Sequence, residues 1–152
     1  MTAIARIIAF ALSTGFASLA AADDQRARAN YMIHCQGCHL PDAAGFAGKV
    51  PRIRDFLGFY LHSQDGREFV VRVPGVATSA LSDDKLTELM NWLLLTFSAR
   101  QLPPDFALFT VDEVAALRAD PESDPGTTRK NILELLAADL PELAEDLKTQ
   151  EY

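Results

Sequence analysis

The sequence contains little cysteine, little tryptophan and no excess of positive charge. Its 152 residues include two cysteines and one tryptophan, and the formal net charge is -7. Both cysteines lie close together in one short stretch, so they cannot form the disulfide framework of a small secreted scaffold. The negative charge excludes a nucleic-acid partner, because such a partner needs a basic surface. A hydrophobic content of 49% and a charged content of 23% indicate a globular chain, with one domain and a modest appendage.

The first segment, residues 1–22, has the pattern of an export signal. Arg6 supplies the positive charge, an apolar run follows over residues 7–16, and small residues precede Asp23. This run is much shorter than the roughly 20 apolar residues that a membrane-spanning helix needs, and the later stretch over residues 92–97 is also too short. We therefore expect cleavage near Asp23 and a periplasmic protein that has no membrane span after signal removal.

The rest of the chain is predicted to be all-α, because apolar residues recur at helical spacing in several segments. Three short helices are predicted early in the chain, over residues 25–34, 55–61 and 68–73. The third has a strand alternative, since residues 69–73 are rich in β-forming side chains. Residues 40–54 contain several glycines and prolines and are predicted to form an irregular loop. A longer helix is predicted after Ser82, where two aspartates are followed by leucines at helical spacing.

The segment that follows, residues 100–152, forms a distinct acidic region. Thr110 and Glu113 predict a capping box at the start of a helix over residues 111–119. Residues 121–128 are predicted to be a polar linker. After the linker, two short amphipathic helices are predicted within residues 128–148, interrupted at Pro141. We expect this helical extension to pack on its own domain, and the alternative is that it docks a partner protein.

The chemistry of the chain lies in the motif formed by Cys35, Cys38 and His39. Two thiols at this spacing can add to the two vinyl groups of one haem, and the imidazole that follows can ligate the iron. A redox-active disulfide would be expected after a strand in a βαβ unit, which is not the pattern here. A zinc site would need a second pair of ligands, and only two other histidines remain. We therefore predict one covalently attached haem c with His39 as an axial iron ligand.

Residues 23–98 resemble the class I cytochrome c family in its small bacterial form. The resemblance rests on the haem-binding motif, on Tyr31 four residues before the first cysteine, on Pro51 in the following loop and on the later helix that carries Trp92. It implies a cytochrome c-like helical fold around one covalent haem. In that family the first and last helices cross beside the haem, and Tyr31 and Trp92 match the aromatic positions at the crossing.

This resemblance also implies the domain organisation. The chain departs from the family pattern at one helix-packing position. The haem domain covers residues 23–99, and the helical extension over residues 100–152 matches nothing in the small cytochrome pattern. Ala27 stands where the family usually places a glycine for close helix contact. The additional methyl group predicts a slightly wider helix crossing.

The sixth iron ligand is the larger departure from the family. Class I cytochromes usually supply a methionine from the loop before the last helix, and residues 73–80 contain no Met, His or Lys. Met90 and Met32 are interpreted as helix-packing residues, and His34 as a residue of the surface or of the haem propionate edge. His62 is the remaining candidate for a sixth ligand. The alternative is an open or water-filled distal site.

The resemblance implies an electron-transfer protein rather than an enzyme. We expect one-electron transfer between an exported dehydrogenase, for example of the quinoprotein type, and a respiratory acceptor such as a terminal oxidase. Four basic residues are candidates to surround the haem edge and steer such partners: Lys49, Arg52, Arg54 and Arg72. An open distal site would favour an alternative function, namely binding of a diatomic gas or peroxide by a sensor or weak peroxidase, with Arg72 and His62 as distal groups.

Overall fold

The computed structural model describes residues 23–149, which form helices joined by short turns and one longer loop. No strand occurs among these residues, whose β-type pairing is a single isolated bridge between Phe46 and Val50. The all-α prediction is therefore confirmed. In chain order the elements are α1 (residues 23–34), α2 (Gln36–His39), a first 3-10 helix (Leu57–His62), α3 (Gln64–Arg72), α4 (Pro74–Ala77), α5 (Asp83–Phe97), a second 3-10 helix (Ala99–Gln101), α6 (Val111–Arg118), α7 (Pro125–Asp139) and α8 (Pro141–Thr149).

The first helix lies against α5 through an aromatic contact. Ala27 and Tyr31 are buried on one face of α1. The ring centroid of Tyr31 lies 5.8 Å from that of Trp92 and 5.6 Å from that of Phe97, both on α5. At the edge of the contact, the indole Nε1 of Trp92 donates to the carboxylate of Asp24 at 2.6 Å. The predicted meeting of Tyr31 and Trp92 is confirmed, and it places the cysteine motif at the end of a docked helix.

The centre of the fold is the pair formed by the first 3-10 helix and α3. Residues 69–72, for which a strand is the alternative, lie in α3, so the helix prediction is confirmed. Ser63 caps this helix, because its side chain accepts a hydrogen bond from the amide of Gly66 at 3.0 Å. Gly66 is required there, since a Cβ atom would lie 2.1 Å from the carbonyl oxygen of Tyr60. The two elements therefore meet at backbone contact distance.

Arg67 of α3 connects this helix to α6 and to the segment before it. Arg67 of α3 donates to both carboxylate oxygens of Glu113, at 2.6 and 2.8 Å, and its guanidinium lies 4.1 Å from the ring centroid of Phe109. The Arg67 hydrogen bond lowers the pKa of Glu113. Thr110 and Glu113 form the predicted capping box at the start of α6. The extension is thus attached by a charge-assisted contact as well as by the chain.

One prediction for the extension is partly wrong. Helix α7 begins at Pro125, inside the segment predicted to be a linker, and it runs for 15 residues rather than forming a short piece. Asp124 is its N-cap and accepts from the amide of Thr127 at 3.1 Å, and proline at the first helical position has no amide hydrogen to satisfy. The predicted interruption at Pro141 is confirmed, because α8 starts there.

The extension shares its hydrophobic core with the rest of the chain, as expected for a tail that packs on its own domain. Its buried members of the common cluster are Phe109, Val114, Ile132, Leu133, Leu136 and Leu143. Within residues 23–149, no helix is both long enough and apolar enough to cross a membrane. The export signal predicted over residues 1–22 lies outside the described residues.

Candidate functional site

The two cysteines and the histidine of the motif lie on one short helical stretch. The amide of Cys35 donates to the carbonyl of Tyr31 at 2.9 Å, so the helical hydrogen bonding of α1 continues to the first cysteine. The amide of His39 in turn donates to the carbonyl of Cys35 at 2.9 Å. Both cysteines are free thiols. Cys35 is half-buried against the core and Cys38 is exposed, so one thiol is fixed and the other is open to a reactant.

Burial gives the two thiols different surroundings. It raises the pKa of the Cys35 thiol, with a smaller contribution in the same direction from Cys38. A raised pKa keeps this thiol protonated at neutral pH, and only a thiolate is a strong metal ligand or nucleophile. Within the described residues, no group of three or more His, Cys, Asp or Glu side chains is arranged to hold a metal ion. The surroundings of the motif therefore do not supply the additional ligands that the zinc alternative needs.

The imidazole of His39 is oriented by a backbone carbonyl. Its Nδ1 lies 2.9 Å from the carbonyl oxygen of Pro51. A carbonyl can only accept, so Nδ1 carries the hydrogen in this contact and Nε2 of the neutral ring has the free lone pair. Burial lowers the pKa of His39, and the hydrogen bond to Pro51 opposes this shift. The ring is therefore held neutral, in the tautomer whose Nε2 lone pair is available to a metal ion, and metal-ligating histidines are typically oriented by such a bond.

The loop that carries Pro51 has an unusual backbone. Leu40 and Ala43 have positive φ angles of 67° and 59°, in a backbone region that residues other than glycine rarely occupy. Gly45 also has a positive φ, and a Cβ atom there would lie 2.4 Å from the carbonyl oxygen of Val50. Backbone strain of this kind persists where the surrounding contacts enforce it, and it clusters at functional sites. Here it lies in the first half of the loop between His39 and Pro51.

A second hydrogen bond fixes the start of this loop. The hydroxyl of Tyr31 donates to the carbonyl of Leu40 at 2.5 Å. Tyr31 is 1% exposed, and burial raises the pKa of its phenol to about 12. The side chain that docks α1 on α5 thus also holds the residue directly after His39. Sequence reasoning identifies Tyr31 for its packing and misses this second role.

His62, Met90 and His34 are three of the other residues that the sequence analysis considers around the iron. Nε2 of His62 lies 2.9 Å from the carbonyl oxygen of Gln101, so that nitrogen is engaged in a backbone hydrogen bond. The groove that His62 lines is formed with the second 3-10 helix and the start of α8, and no residue of the cysteine motif lines it. Met90 is buried in the core, as predicted, and His34 is exposed, as predicted.

The interpretation of Met32 as a packing residue is wrong. Its side chain is 55% exposed, and the neighbouring Ile33 is 74% exposed. The reason is the helical rotation of about 100° per residue: when Tyr31 faces α5, the next two side chains point away from that contact. An exposed apolar surface therefore precedes the first thiol.

Three of the four basic residues expected around a haem edge have carboxylate partners. Arg72 donates to the side chain of Asp120 at 2.8 Å, and Arg54 donates to Asp42 at 2.6 Å. Arg52 forms an ion pair with Asp146 of α8. The fourth residue of that group, Lys49, is exposed. The positive charge of this group is therefore largely used in contacts within the chain.

Sequence reasoning misses the residue that fixes the loop before α5. The guanidinium of Arg118, on α6, donates to three carbonyl oxygens of this loop and to one carboxylate: Ala77 at 3.1 Å, Ser79 at 2.5 Å, Leu81 at 2.8 Å and Asp83 at 2.9 Å. Its side chain is 15% exposed. Arg118 therefore holds the backbone of the loop that leads into α5. No local sequence signal indicates this contact, because the partners are 35 to 41 residues away.

Comparison of the chain with protein-family models, with curated proteins and with solved structures finds no match. The motif and its surroundings are therefore the features of the chain that indicate a function. The donor set fits a c-type haem, because two free thiols on one helical stretch are followed by a neutral imidazole with a free Nε2.

Proposed function

We propose that this protein is a periplasmic monohaem c-type cytochrome that carries one electron at a time. The observation that carries the proposal is the hydrogen bond from His39 to the carbonyl of Pro51, which leaves Nε2 free beside two unpaired thiols. A zinc site would use the same neutral imidazole, but the described residues bring no further ligands together around the motif. The haem, when bound, supplies reversible one-electron chemistry at its iron.

The cysteines and the histidine of the motif have different roles in holding the haem. Cys35 and Cys38 would each hold the haem through one thioether bond, in which the thiol adds across a vinyl group and its hydrogen goes to the neighbouring carbon. His39 would offer Nε2 to the iron, and the Pro51 carbonyl orients its ring through Nδ1. The docked helix α1 and the half-buried position of Cys35 keep this end of the motif rigid. A rigid site suits electron transfer, because little of the chain has to reorganise.

Several features favour a carrier over an enzyme. The residues described contain no recognised arrangement of nucleophile, base and acid beside the motif. The exposed apolar side chains of Met32 and Ile33 lie three and two residues before Cys35, so a partner can approach this end of the molecule. An exported dehydrogenase and a respiratory acceptor are the partners proposed. The association with them should weaken with salt, because charge steering acts over about 8 Å at physiological ionic strength.

Covalent attachment is tested in the full chain produced with export and cytochrome maturation. We expect a haem-stained band that survives boiling in denaturing gels, and its loss in the double variant Cys35→Ala/Cys38→Ala. The substitution His39→Ala should abolish the native ferrous spectrum, whereas the matched substitution of exposed His34 by Ala should leave it unchanged. An unmodified mature mass under these conditions would contradict the proposal.

Three observations favour the alternative function, binding of a diatomic gas or peroxide at an open distal position. Residues 73–80 contain no side chain that ligates iron, Met90 is buried in the core, and Nε2 of His62 is engaged by Gln101. We therefore expect the oxidised protein to lack the near-infrared band of a methionine–iron bond. Tight carbon monoxide binding, combined with no reduction by exported quinoprotein dehydrogenases in stopped-flow mixing, would favour the sensor or weak peroxidase over the carrier.

A further inference from the structure

The last helix reaches back to the loop that orients His39. Asp146, on α8, forms an ion pair with Arg52, which lies 94 residues earlier in the chain. The two side chains are 20% and 26% exposed. The guanidinium of Arg52 also lies 5.2 Å from the ring centroid of Phe56, and that of Arg129 on α7 lies 5.9 Å from the same ring. Two helices of the extension therefore converge on one arginine and the ring beneath it.

The position of Arg52 is linked directly to His39 by a single peptide group. The carbonyl that accepts the hydrogen bond from Nδ1 of His39 belongs to Pro51, the residue before Arg52. That carbonyl and the backbone nitrogen of Arg52 lie in one planar peptide unit. Fixing the side chain and backbone of Arg52 therefore fixes the direction in which the Pro51 carbonyl points.

The contact with Asp146 is the strongest anchor of Arg52 that the structure provides. A charge-assisted hydrogen bond between partly buried groups is worth more than an exposed ion pair. The Nε atom of Arg52 is buried and has no hydrogen-bond partner among the described residues. The orientation of the guanidinium therefore depends on Asp146 and on stacking over Phe56, and removing the carboxylate would leave a half-buried charge poorly compensated.

We propose that Asp146 is a positioning residue for the imidazole of His39: by holding Arg52, helix α8 fixes the Pro51 carbonyl and with it the ring that presents Nε2 to iron. The inference rests on the proposed function for the iron ligand, but the coupling from α8 to the loop is a property of the chain itself. The proposal gives the acidic extension a role. The orientation of the His39 ring depends on helix α8.

The test compares Asp146→Asn with Glu145→Gln in the full chain. Both substitutions remove one negative charge from α8, but Glu145 is 71% exposed and pairs only with Lys148 in the contacts seen, at 3.0 Å. The amides of Ile53 and Arg54, which both donate to the carbonyl of Ala43, report on the loop by hydrogen exchange. We expect their exchange to be about 10-fold faster or more in Asp146→Asn, and unchanged in Glu145→Gln.

A second readout follows the iron ligand in the haem-loaded protein. The hydrogen bond at Nδ1 makes the imidazole a stronger donor, which stabilises ferric iron. Weakening that bond in Asp146→Asn should therefore raise the midpoint potential and shift the iron–histidine stretching band. The variant Asp146→Glu keeps the carboxylate and should recover most of the wild-type exchange and potential. A purely structural role for α8 would lower stability, and with it amide protection, without moving the midpoint potential or the iron–histidine stretching band.

The outcomes separate this inference from the proposed function. Wild-type exchange at Ile53 and Arg54 in a folded Asp146→Asn variant would overturn the coupling, whether or not haem is attached. A chain that carries no haem would overturn the proposed function, while the exchange experiment would still decide the coupling. If Asp146→Asn does not fold, the folded Asp146→Glu variant decides: exchange and potential that both match those of Glu145→Gln support the inference, and values shifted from Glu145→Gln overturn it.

Discussion

Tyr31 is a single side chain that joins three parts of the molecule. Its ring contacts Trp92 and Phe97 of α5, and its hydroxyl donates to the carbonyl of Leu40, directly after the iron-ligand candidate His39. Burial of the phenol raises its pKa from 10.0 to about 12. The neutral phenol is therefore favoured by the fold, and a charged phenolate is not.

The raised pKa of Tyr31 predicts a specific loss of stability in alkali. A group whose pKa is higher in the folded state contributes stability that is complete below its unfolded pKa of 10.0 and is lost as the pH rises towards about 12. The variant Tyr31→Phe lacks this titration but also lacks the hydrogen bond to Leu40. We expect it to be less stable at pH 8, by about 1 kcal/mol, and to lose less stability than the wild type between pH 10 and 12. Urea denaturation at a series of pH values measures both, and equal slopes in alkali would contradict the assignment.

Arginine contacts show most clearly what the sequence could not predict at the residue scale. The cysteine motif and the helix contact of Tyr31 with Trp92 could be anticipated, because they are local patterns or follow a known resemblance. Arg118, Arg67 and Arg52 could not, since each pairs with residues at least 35 positions away. The residues next to an arginine in the sequence do not indicate which distant carboxylate it will pair with.

Helix patterns are predicted well where capping and periodicity agree. Helix α5 follows its leucine spacing and the two aspartates of its first turn, and the capping box of Thr110 and Glu113 forms as expected. The start of α7 escapes prediction because residues 121–128 are polar, although Asp124 before Pro125 is itself a helix-start signal. Polar composition alone therefore predicts a linker here, whereas the capping residues indicate the start of a helix.

The first 3-10 helix approaches the turn after α5 so closely that it requires glycine. A Cβ atom on Gly58 would lie 2.7 Å from the carbonyl oxygen of Ser98, and the amide of Gly58 donates to the hydroxyl of Ser98 at 2.8 Å. Gly58→Ala should therefore destabilise the protein by about 1–3 kcal/mol, because backbone atoms must move apart.

The control for this prediction is a glycine with free space around it. A Cβ atom on Gly75, in α4, would have no neighbouring atom within 4 Å, and the φ angle of this glycine is not in the left-handed region. Gly75→Ala should leave stability unchanged or raise it by up to about 1 kcal/mol, since alanine loses less backbone entropy on folding. Chemical denaturation of the two variants gives the comparison. Equal effects of the two substitutions would show that the close approach of Gly58 is not important.

At the scale of the whole molecule, the extension is part of the core rather than an accessory. Its helices bury apolar side chains in the same cluster as Phe56 and Phe59. Burying one such side chain contributes about 1.5–3 kcal/mol, and whole domains are stable by only about 5–15 kcal/mol. A chain that ends at residue 99 should therefore fail to fold cooperatively, as measured by thermal unfolding followed by circular dichroism.

A shorter deletion should have a smaller effect on stability. Removing residues 141–152 takes away α8, whose fully buried apolar side chain is Leu143. We expect that chain to fold with a stability lower by about 3 kcal/mol, because α8 also supplies the Asp146 contact. A stable, cooperatively folded chain ending at residue 99 would show instead that residues 23–99 form an independent domain.

The docking of α1 also sets an order of events during synthesis. The contacts that hold it span long stretches of chain, 68 residues from Asp24 to Trp92 and 62 residues from Arg26 to Glu88. Chains emerge from the N-terminus at about 5–20 residues per second, and contacts between distant residues pay their loop-closure entropy before they form. Cys35 and Cys38 are therefore made several seconds before their helix can dock. A reagent or enzyme that acts on the two thiols meets a flexible peptide first and a folded protein only later.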